Sequence, residues 1–174
     1  MILARLILGL LSLAPMTGYE LKKHFDATIS HFWNADKAQI YRTLASLVRD
    51  GFAAVETVEQ AGYPARQVHR ITDAGRAELA DWLRSEPQPD TERNAFLGRV
   101  FFASQLKDAD ARRLLAARRD AATQYLSELQ EQLAGRGAAS VGDPRYFQLA
   151  TLRNGIRHVQ AELEWLQEIE GELQ

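Results

Sequence analysis

Cations and hydrogen-bonding side chains recur along one face of a helix predicted between Asp36 and Gly51. At 100° per residue this face also holds Ala38 and Ala45, whose small side chains permit another molecule to approach closely. Lysine and arginine bind phosphates and guanine edges, whereas glutamine pairs with adenine. The pattern therefore predicts a helix that lies in a DNA major groove. The residues assigned to this contact are Lys37, Gln39, Arg42, Thr43, Ser46 and Arg49.

Within this set, Gln39 and Arg42 are the best candidates for reading base edges. Other polar side chains are assigned to backbone phosphates, two of them from a predicted hairpin further along the chain. These residues are Tyr41, Lys22, Lys23, Tyr63 and Arg66. For this helix taken alone, a solvated amphipathic helix that binds nothing is an open alternative, so the neighbouring elements have to decide.

The helix that carries these residues has its own start and stop signals. Asp36 and Gln39 form a capping box, in which each side chain bonds the other residue's backbone N–H. Gly51 supplies the left-handed residue that ends the helix. Between them, apolar residues recur at the spacing that places them on one buried side. They are Ile40, Leu44, Leu47 and Val48.

Two helices are predicted before it. Residues 1–14 are apolar but too short to span a bilayer, and they lack the basic region and cleavage site of a signal peptide. They are interpreted as a buried first helix. Thr17 and Glu20 form a second capping box, followed by Leu21 and Phe25 on the inner side of a second helix. The second helix and the helix after Asp36 together predict a helix-turn-helix.

The periodicity changes after Gly51. Residues 52–59 and 66–71 are predicted as strands, and residues 60–65, with Gly62 and Pro64, as the turn between them. Thr72 then caps a further helix that ends near Ser85. A helix-turn-helix followed by a hairpin and a helix predicts a winged helix over residues 1–86. The fold class is therefore mainly α with a small β-hairpin.

Three sequence blocks of this region resemble the PadR-type winged-helix transcriptional regulators. The blocks are LILGLLSLAPMTGYEL (Leu6–Leu21), QIYRTLASLVRDG (Gln39–Gly51) and QVHRITDAG (Gln67–Gly75). The resemblance implies a cytoplasmic homodimer that binds operator DNA, usually as a repressor, and dimerises through C-terminal helices. It also implies sensing of small aromatic or lipophilic effectors. His69 departs from the family pattern, where tyrosine is common, and the wing tip is less basic than in many members.

Residues 86–90 (EPQPD) are interpreted as a linker, because two prolines in five residues break a helix and favour extended backbone. Residues 91–174 are predicted to form a C-terminal helical, coiled-coil-like dimerisation domain. Its first helix is capped by Thr91 and turns Phe96 and Phe101 inward. Asp108 opens a long second helix, and Asp143 with the following proline starts the last one.

The last helix shows the strongest periodicity in the sequence, with apolar residues spaced alternately by three and four. This seam can close within one chain, as an antiparallel helix pair, or against a second copy. A homodimer is favoured because so few helices cannot cover all the apolar residues. Two heads at half-sites roughly 34 Å apart would also bind DNA more tightly than one. The residues assigned to dimerisation are Leu149, Leu152, Ile156, Val159, Leu163 and Leu166.

Aromatic residues at helical spacing are usually core residues. The functional alternative is an effector pocket between the winged helix and the C-terminal helices, or across the dimer seam. The residues assigned to this pocket are Trp33, Phe96, Phe101, Phe102 and Phe147.

The amino-acid composition and the motifs that are absent limit the kinds of site this chain can hold. Cysteine is absent, which removes disulfides and thiolate metal sites and suits a reducing cytoplasm. The net charge is −2, but residues 1–72 hold eight Lys and Arg against six Asp and Glu, so the acidic excess lies towards the C-terminus. The sequence lacks a glycine-rich phosphate loop and a nucleophile elbow, so we predict no enzymatic activity and no cofactor or metal. Two alternatives stay open: a winged helix that holds an acidic protein partner, and a ligand-binding protein without an operator.

Overall fold

In a computed structural model, three side-chain caps mark where helices of the N-terminal half begin, as the sequence predicts. Thr17 Oγ1 accepts from the Glu20 amide at 3.2 Å, and the Thr17 amide donates to Glu20 Oε2 at 2.8 Å. Asp36 and Gln39 form the same reciprocal pair at 2.7 and 3.0 Å. Thr72 Oγ1 accepts from the amide three residues on, at 3.1 Å. These helix starts are confirmed.

The structure describes residues 1–60, 62–87, 89 and 93–173, in two units, Met1–Gln88 and Pro89–Gln174. The unit boundary falls inside the segment predicted as a linker. Within the described part of the first unit, the helices are α1 (Ile2–Leu13), α2 (Gly18–Thr28), α3 (Lys37–Arg49) and α4 (Asp73–Arg84). The strands are β1 (Met16–Thr17), β2 (Ala53–Gln60) and β3 (Tyr63–Ile71), in the antiparallel order β1-β3-β2.

This arrangement is a winged helix, so the predicted fold class is confirmed. The strand β1 was not predicted; Met16 pairs with His69 and Thr17 with Val68, both in β3. Two residues give no readable period in a sequence, because a strand pattern needs several alternating positions. Pairing of β1 with β3 ties the start of α2 to the hairpin.

The core of the first unit decides which face of α3 points outward. Ile7 of α1, Phe25 of α2 and Ile40 of α3 are fully buried, and Leu44 and Leu47 join them. Burial of each such side chain contributes about 1.5–3 kcal/mol. The stop signal of α3 is also confirmed, since the residue at position 51 is a glycine with φ of 78°. The apolar side of α3 is therefore fixed inward and its polar face outward.

The predicted turn over residues 60–65 is too long. Pairing of β2 with β3 continues to Gln60 opposite Tyr63, with an irregularity between Val58 and Gln60. Residues 63–65 therefore belong to β3. Backbone pairing with β2 extends the strand through a stretch whose composition favours a turn.

The described part of the second unit contains α5 (Ala95–Phe101), a 3₁₀ turn (Ala103–Gln105), α6 (Asp108–Arg136) and α7 (Tyr146–Glu172). The predicted cap Thr91 lies outside the described residues, and α5 is capped by Asn94, whose Oδ1 accepts two amides at 3.0 and 3.2 Å. The predicted start of the last helix at Asp143 is wrong. The Asp143 carboxylate instead bonds the backbone and guanidinium of Arg145 in a turn that precedes α7.

The apolar seam of α7 closes within one chain. Leu152, Ile156 and Val159 form one buried cluster with Ala122 and Leu129 of α6, and Leu163 is half-buried beside it. Leu149 and Leu166 are also buried. Bidentate hydrogen bonds from Arg118 to Glu162, at 2.9 and 2.8 Å, link the same two helices. The seam residues are therefore buried within one chain, and their assignment to a dimer contact stays a prediction. The residues concerned are Leu149, Leu152, Ile156, Val159, Leu163 and Leu166.

Candidate nucleic-acid interface

The outward face of α3 presents the side chains that the sequence singled out. Lys37, Gln39, Arg42 and Arg49 are exposed, and the two alanines between them leave the helix backbone accessible. Thr43 and Ser46 are half-buried on the same helix. The structure thus gathers these residues on one surface, which we call the reading face.

One flank of the reading face packs against the beginning of α2. A methyl group added at Gly18 would come within 2.9 Å of the Tyr41 ring, so this glycine permits the ring to lie there. Lys37 Nζ lies 5.7 Å from the centroid of the same ring. First-turn amides of a helix lack intrahelical partners. Tyr41 and Lys37 therefore stand beside the start of α2, where the Glu20 amide is already bonded to Thr17 Oγ1.

The other flank borders a groove of about 700 Å³ beside the first turn of α1. Four residues of the reading face line it, together with Ile2, Trp33 and Phe52 from other elements. This groove is not predictable from the sequence, because the first turn of α1 lies more than thirty residues from the α3 residues it faces and no local pattern indicates which helix it contacts. The reading-face residues that line the groove are Gln39, Arg42, Thr43 and Ser46.

A closed triangle of hydrogen bonds joins Ser46, Arg49 and Asp50 at the C-terminal end of the reading face. Asp50 Oδ1 accepts from Arg49 Nε at 3.0 Å, and Asp50 Oδ2 accepts from Ser46 Oγ at 3.0 Å. Arg49 Nη2 donates to Ser46 Oγ at 2.7 Å. The hydrogen bond from Arg49, followed by that from Ser46, lowers the pKa of the Asp50 carboxyl. Asp50 was not among the predicted site residues.

The wing is tied to α2 through Glu20. Arg66 Nη2 donates to Glu20 Oε1 at 2.6 Å, while the other carboxylate oxygen accepts from Thr17. The Thr17 backbone bond is the main cause that lowers the pKa of Glu20, and Arg66 adds to it. Lys22 pairs with Asp26 one turn along α2.

Lys23 and Tyr63 were also predicted to contact phosphates. Lys23 is exposed on α2. The side chain of Tyr63 lies outside the described part of the chain, so its assignment stays a prediction.

The predicted effector residues are divided between the two units, so their assignment to one pocket stays a prediction. Trp33 packs against the core of the first unit. In the second unit, Phe96 meets Trp165 edge-on at 6.3 Å between ring centroids, whereas Phe147 lies at the other end of α7, eighteen residues or about 27 Å away. That separation excludes a shared cavity for Phe96 and Phe147 within the second unit.

Phe101 and Phe102 also differ from expectation. Phe101 is 81% exposed and Phe102 is exposed beside it, with their rings edge to face at 5.0 Å. The prediction that Phe101 points inward is wrong, because α5 is only seven residues long and turns its end to solvent.

His69 in β3 supports packing of the sheet. Its Nδ1 is buried without a hydrogen-bond partner, and burial lowers the pKa of its imidazole. Among the described residues, no three His, Cys, Asp or Glu side chains come together in a way that could hold a metal ion. In the same part of the chain, no helix is long and apolar enough to cross a membrane.

A helix-turn-helix with a wing and an exposed basic α3 defines the winged-helix class of transcriptional regulators. The model of the transcriptional regulator PadR-like family matches residues 7–81, and the model named virulence activator alpha C-term matches residues 92–174. The chain belongs to the PadR-like family of transcriptional regulators.

Two relatives cover almost the whole chain. The negative transcriptional regulator PadR of Bacillus subtilis (strain 168) is 29% identical over 94% of this chain and 92% of its own. The probable transcriptional regulator Rv1176c of Mycobacterium tuberculosis is 33% identical, with 91% of this chain and 90% of that protein covered.

Two solved structures match over the full length. Bacillus subtilis PadR in complex with operator DNA has a TM-score of 0.90 at 28% identity and covers 100% of both chains. The same protein in complex with p-coumaric acid has a TM-score of 0.84 at 27% identity and covers 99% of both chains.

Proposed function

We propose that this chain is a homodimeric repressor that binds operator DNA through α3 and the wing and is released by a small aromatic or lipophilic compound. It acts in the cytoplasm together with the DNA it controls, by binding and not by catalysis. The observation that carries the proposal is the full-length similarity to the operator-bound relative, combined with the exposed reading face. Release by a small molecule is supported by the relative that binds p-coumaric acid.

The reading face divides its contacts by geometry. Arg42 projects from α3 without an ion pair to an acidic side chain in the described part of the chain, so its donors are available to base edges. Gln39 Oε1 accepts from the Asp36 amide at 3.0 Å, so this side chain reaches a base edge through its NH2 group. Lys37 and Tyr41 stand beside the start of α2 and fit phosphates. Arg66 reaches the phosphate backbone from the wing, held in position by Glu20.

A titration of the wild-type protein tests the proposal. Labelled DNA from upstream of its own gene is compared with a scrambled sequence by fluorescence anisotropy at two salt concentrations. We expect the upstream DNA to bind at least about 1,000-fold more tightly, with a steep loss of affinity as salt rises, because phosphate contacts release counterions.

Equal binding to both DNAs would contradict operator recognition at this site and would favour an acidic protein partner for the reading face. The same titration with p-coumaric acid added tests release. A fall in operator affinity supports an aromatic effector. Unchanged affinity across a panel of aromatic and lipophilic compounds would contradict release by such an effector.

The dimer contact is proposed on exposed apolar residues of the second unit, since most of the α7 seam is buried within one chain. Phe101, Phe102 and Phe147 are large and exposed, and Leu97 of α5 adds to the apolar surface near the first two. Clustered apolar side chains of this size on a water-facing surface mark a protein contact. We propose that a second copy covers Phe101 and Phe102.

Replacing Phe101 with glutamate tests this contact. We expect the dimer dissociation constant to rise at least about tenfold, because an unpaired charge would be buried in an apolar interface. Sedimentation equilibrium measures the change. Val141→Glu, at an equally exposed position of the same unit (81%), is the control and is expected to leave the dimer intact. A Phe101→Glu protein with an unchanged dimer constant would contradict the assignment.

A further inference from the structure

We propose that Asp50 is an internal counter-charge, which occupies Ser46 and Arg49 while DNA is absent and thereby lowers the affinity of the reading face for DNA in general. The proposal rests on the proposed DNA-binding function. Under this proposal Asp50 sets the affinity of the protein for DNA, and its negative charge has the same sign as that of the DNA backbone.

The geometry shows what Asp50 occupies. Its two carboxylate oxygens accept from Arg49 Nε and Ser46 Oγ, each at 3.0 Å, and Arg49 Nη2 lies 3.3 Å from Oδ2 as well. A phosphate offers the same kind of paired oxygen acceptors. Asp50 therefore accepts from the same N–H and O–H donors that a DNA phosphate would use at this end of α3.

The position of Asp50 is unfavourable for the helix itself. It is the C-cap of α3, where the unpaired carbonyls of the last turn carry partial negative charge and disfavour an anion. The side chains of Asp50 and Arg49 are 43% and 73% exposed, and a pair so exposed to water is weak. Such a pair yields readily to a phosphate, yet it still has to be broken before Arg49 can bind one.

The two halves of the reading face differ in whether their cations pair with an acidic side chain. Within the residues that the structure describes, Lys37 and Arg42 form no ion pair with an acidic side chain, whereas Arg49 does. The counter-charge thus pairs with the C-terminal half of the reading face and not with Arg42, although Asp50 and Arg42 line the same groove. Its removal should add a contact that does not depend on sequence.

Asp50→Asn tests the proposal, because asparagine keeps the shape and one acceptor oxygen but loses the charge. We expect affinity for operator and scrambled DNA alike to rise about three- to tenfold, with a log-log salt slope steeper by about one phosphate contact. Anisotropy titrations at several salt concentrations measure both quantities. Circular dichroism confirms that the variant is folded.

Two further variants make the test specific. Asp81→Asn removes the same charge from the exposed Asp81–Arg84 pair of α4, 3.2 Å long, and should change affinity less than twofold. In an Arg49→Ala background, Asp50→Asn should lose most of its effect, because the cation it releases is gone.

The outcomes separate this proposal from the proposed function. Operator selectivity of the wild-type protein tests the function, whereas the ratio of variant to wild-type affinity on scrambled DNA tests Asp50 whether or not the operator is correct. The proposal is overturned by an Asp50→Asn affinity within twofold of wild type or weaker. It is also overturned by an equal gain from Asp81→Asn, or by a gain that persists without Arg49.

Discussion

Replacing Arg42 with alanine is expected to weaken operator binding about 10- to 100-fold, the loss that accompanies removal of one bidentate base contact of about 1–3 kcal/mol. Arg42 lies near the middle of the outward side of α3, and no acidic side chain of the described chain pairs with it. Arg49→Ala should cost less, because Asp50 already holds that guanidinium. Anisotropy titrations against the operator and its single-base variants measure the effect.

Two matched variants sharpen the Arg42 experiment. Arg42→Lys keeps the charge but loses the planar pair of donors, so affinity for scrambled DNA should be retained while operator selectivity falls. Arg84→Ala removes an exposed arginine from α4 of the same unit and should leave operator binding almost unchanged. If Arg42→Ala bound the operator within twofold of wild type, its assignment to a base edge would be wrong.

Replacing Gly75 with alanine is expected to destabilise the winged helix by about 3 kcal/mol, at the upper end of the usual cost of overpacking. A Cβ there would lie 2.1 Å from the carbonyl oxygen of Phe52 and 2.9 Å from Ile71 Cγ1. The Phe52 carbonyl cannot easily move, because it accepts from the Thr72 amide at 3.1 Å and the Phe52 amide is bonded to Leu47 at 2.9 Å. Hydrogen exchange in peptides of β2 and α4 locates the loss in the first unit, and urea unfolding gives its size.

Gly9→Ala is the control for the Gly75 experiment. Gly9 lies in α1 of the same unit, and a Cβ there meets no heavy atom within 4 Å. Alanine at this helical position should be neutral or should stabilise by up to about 1 kcal/mol, since glycine is the poorer helix former. Equal stability of the Gly75→Ala protein and the wild type would contradict this prediction. It would mean that the start of α4 can shift to accommodate a methyl group.

Short-range features of this protein were predictable from its sequence. The capping boxes of Thr17 with Glu20 and of Asp36 with Gln39 join residues three apart, so the sequence positions alone bring the partners together. The apolar spacing of α3 likewise determined which face is buried, because helical geometry converts spacing into direction. The family resemblance rested on the same local blocks and is confirmed.

Less was predictable where two conformations satisfy the same local pattern. Asp143 with a following proline is a good helix start, yet its carboxylate bonds Arg145 and the helix begins later. Residues 63–65 have turn composition but pair with β2. In both places a competing hydrogen bond determines the local conformation. Sequence propensity does not predict which of two possible hydrogen bonds forms.

The sequence by itself determined the helix-turn-helix, the hairpin and the polar face of α3, because each depends on residues within a few turns of one another. Only the tertiary structure decided the contacts between distant segments. The Glu20–Arg66 pair spans 46 positions, and the Arg118–Glu162 pair spans 44. The α7 seam was compatible with either a second copy or α6. The structure buries most of this seam within one chain, because a neighbouring helix can cover it without the entropy cost of association.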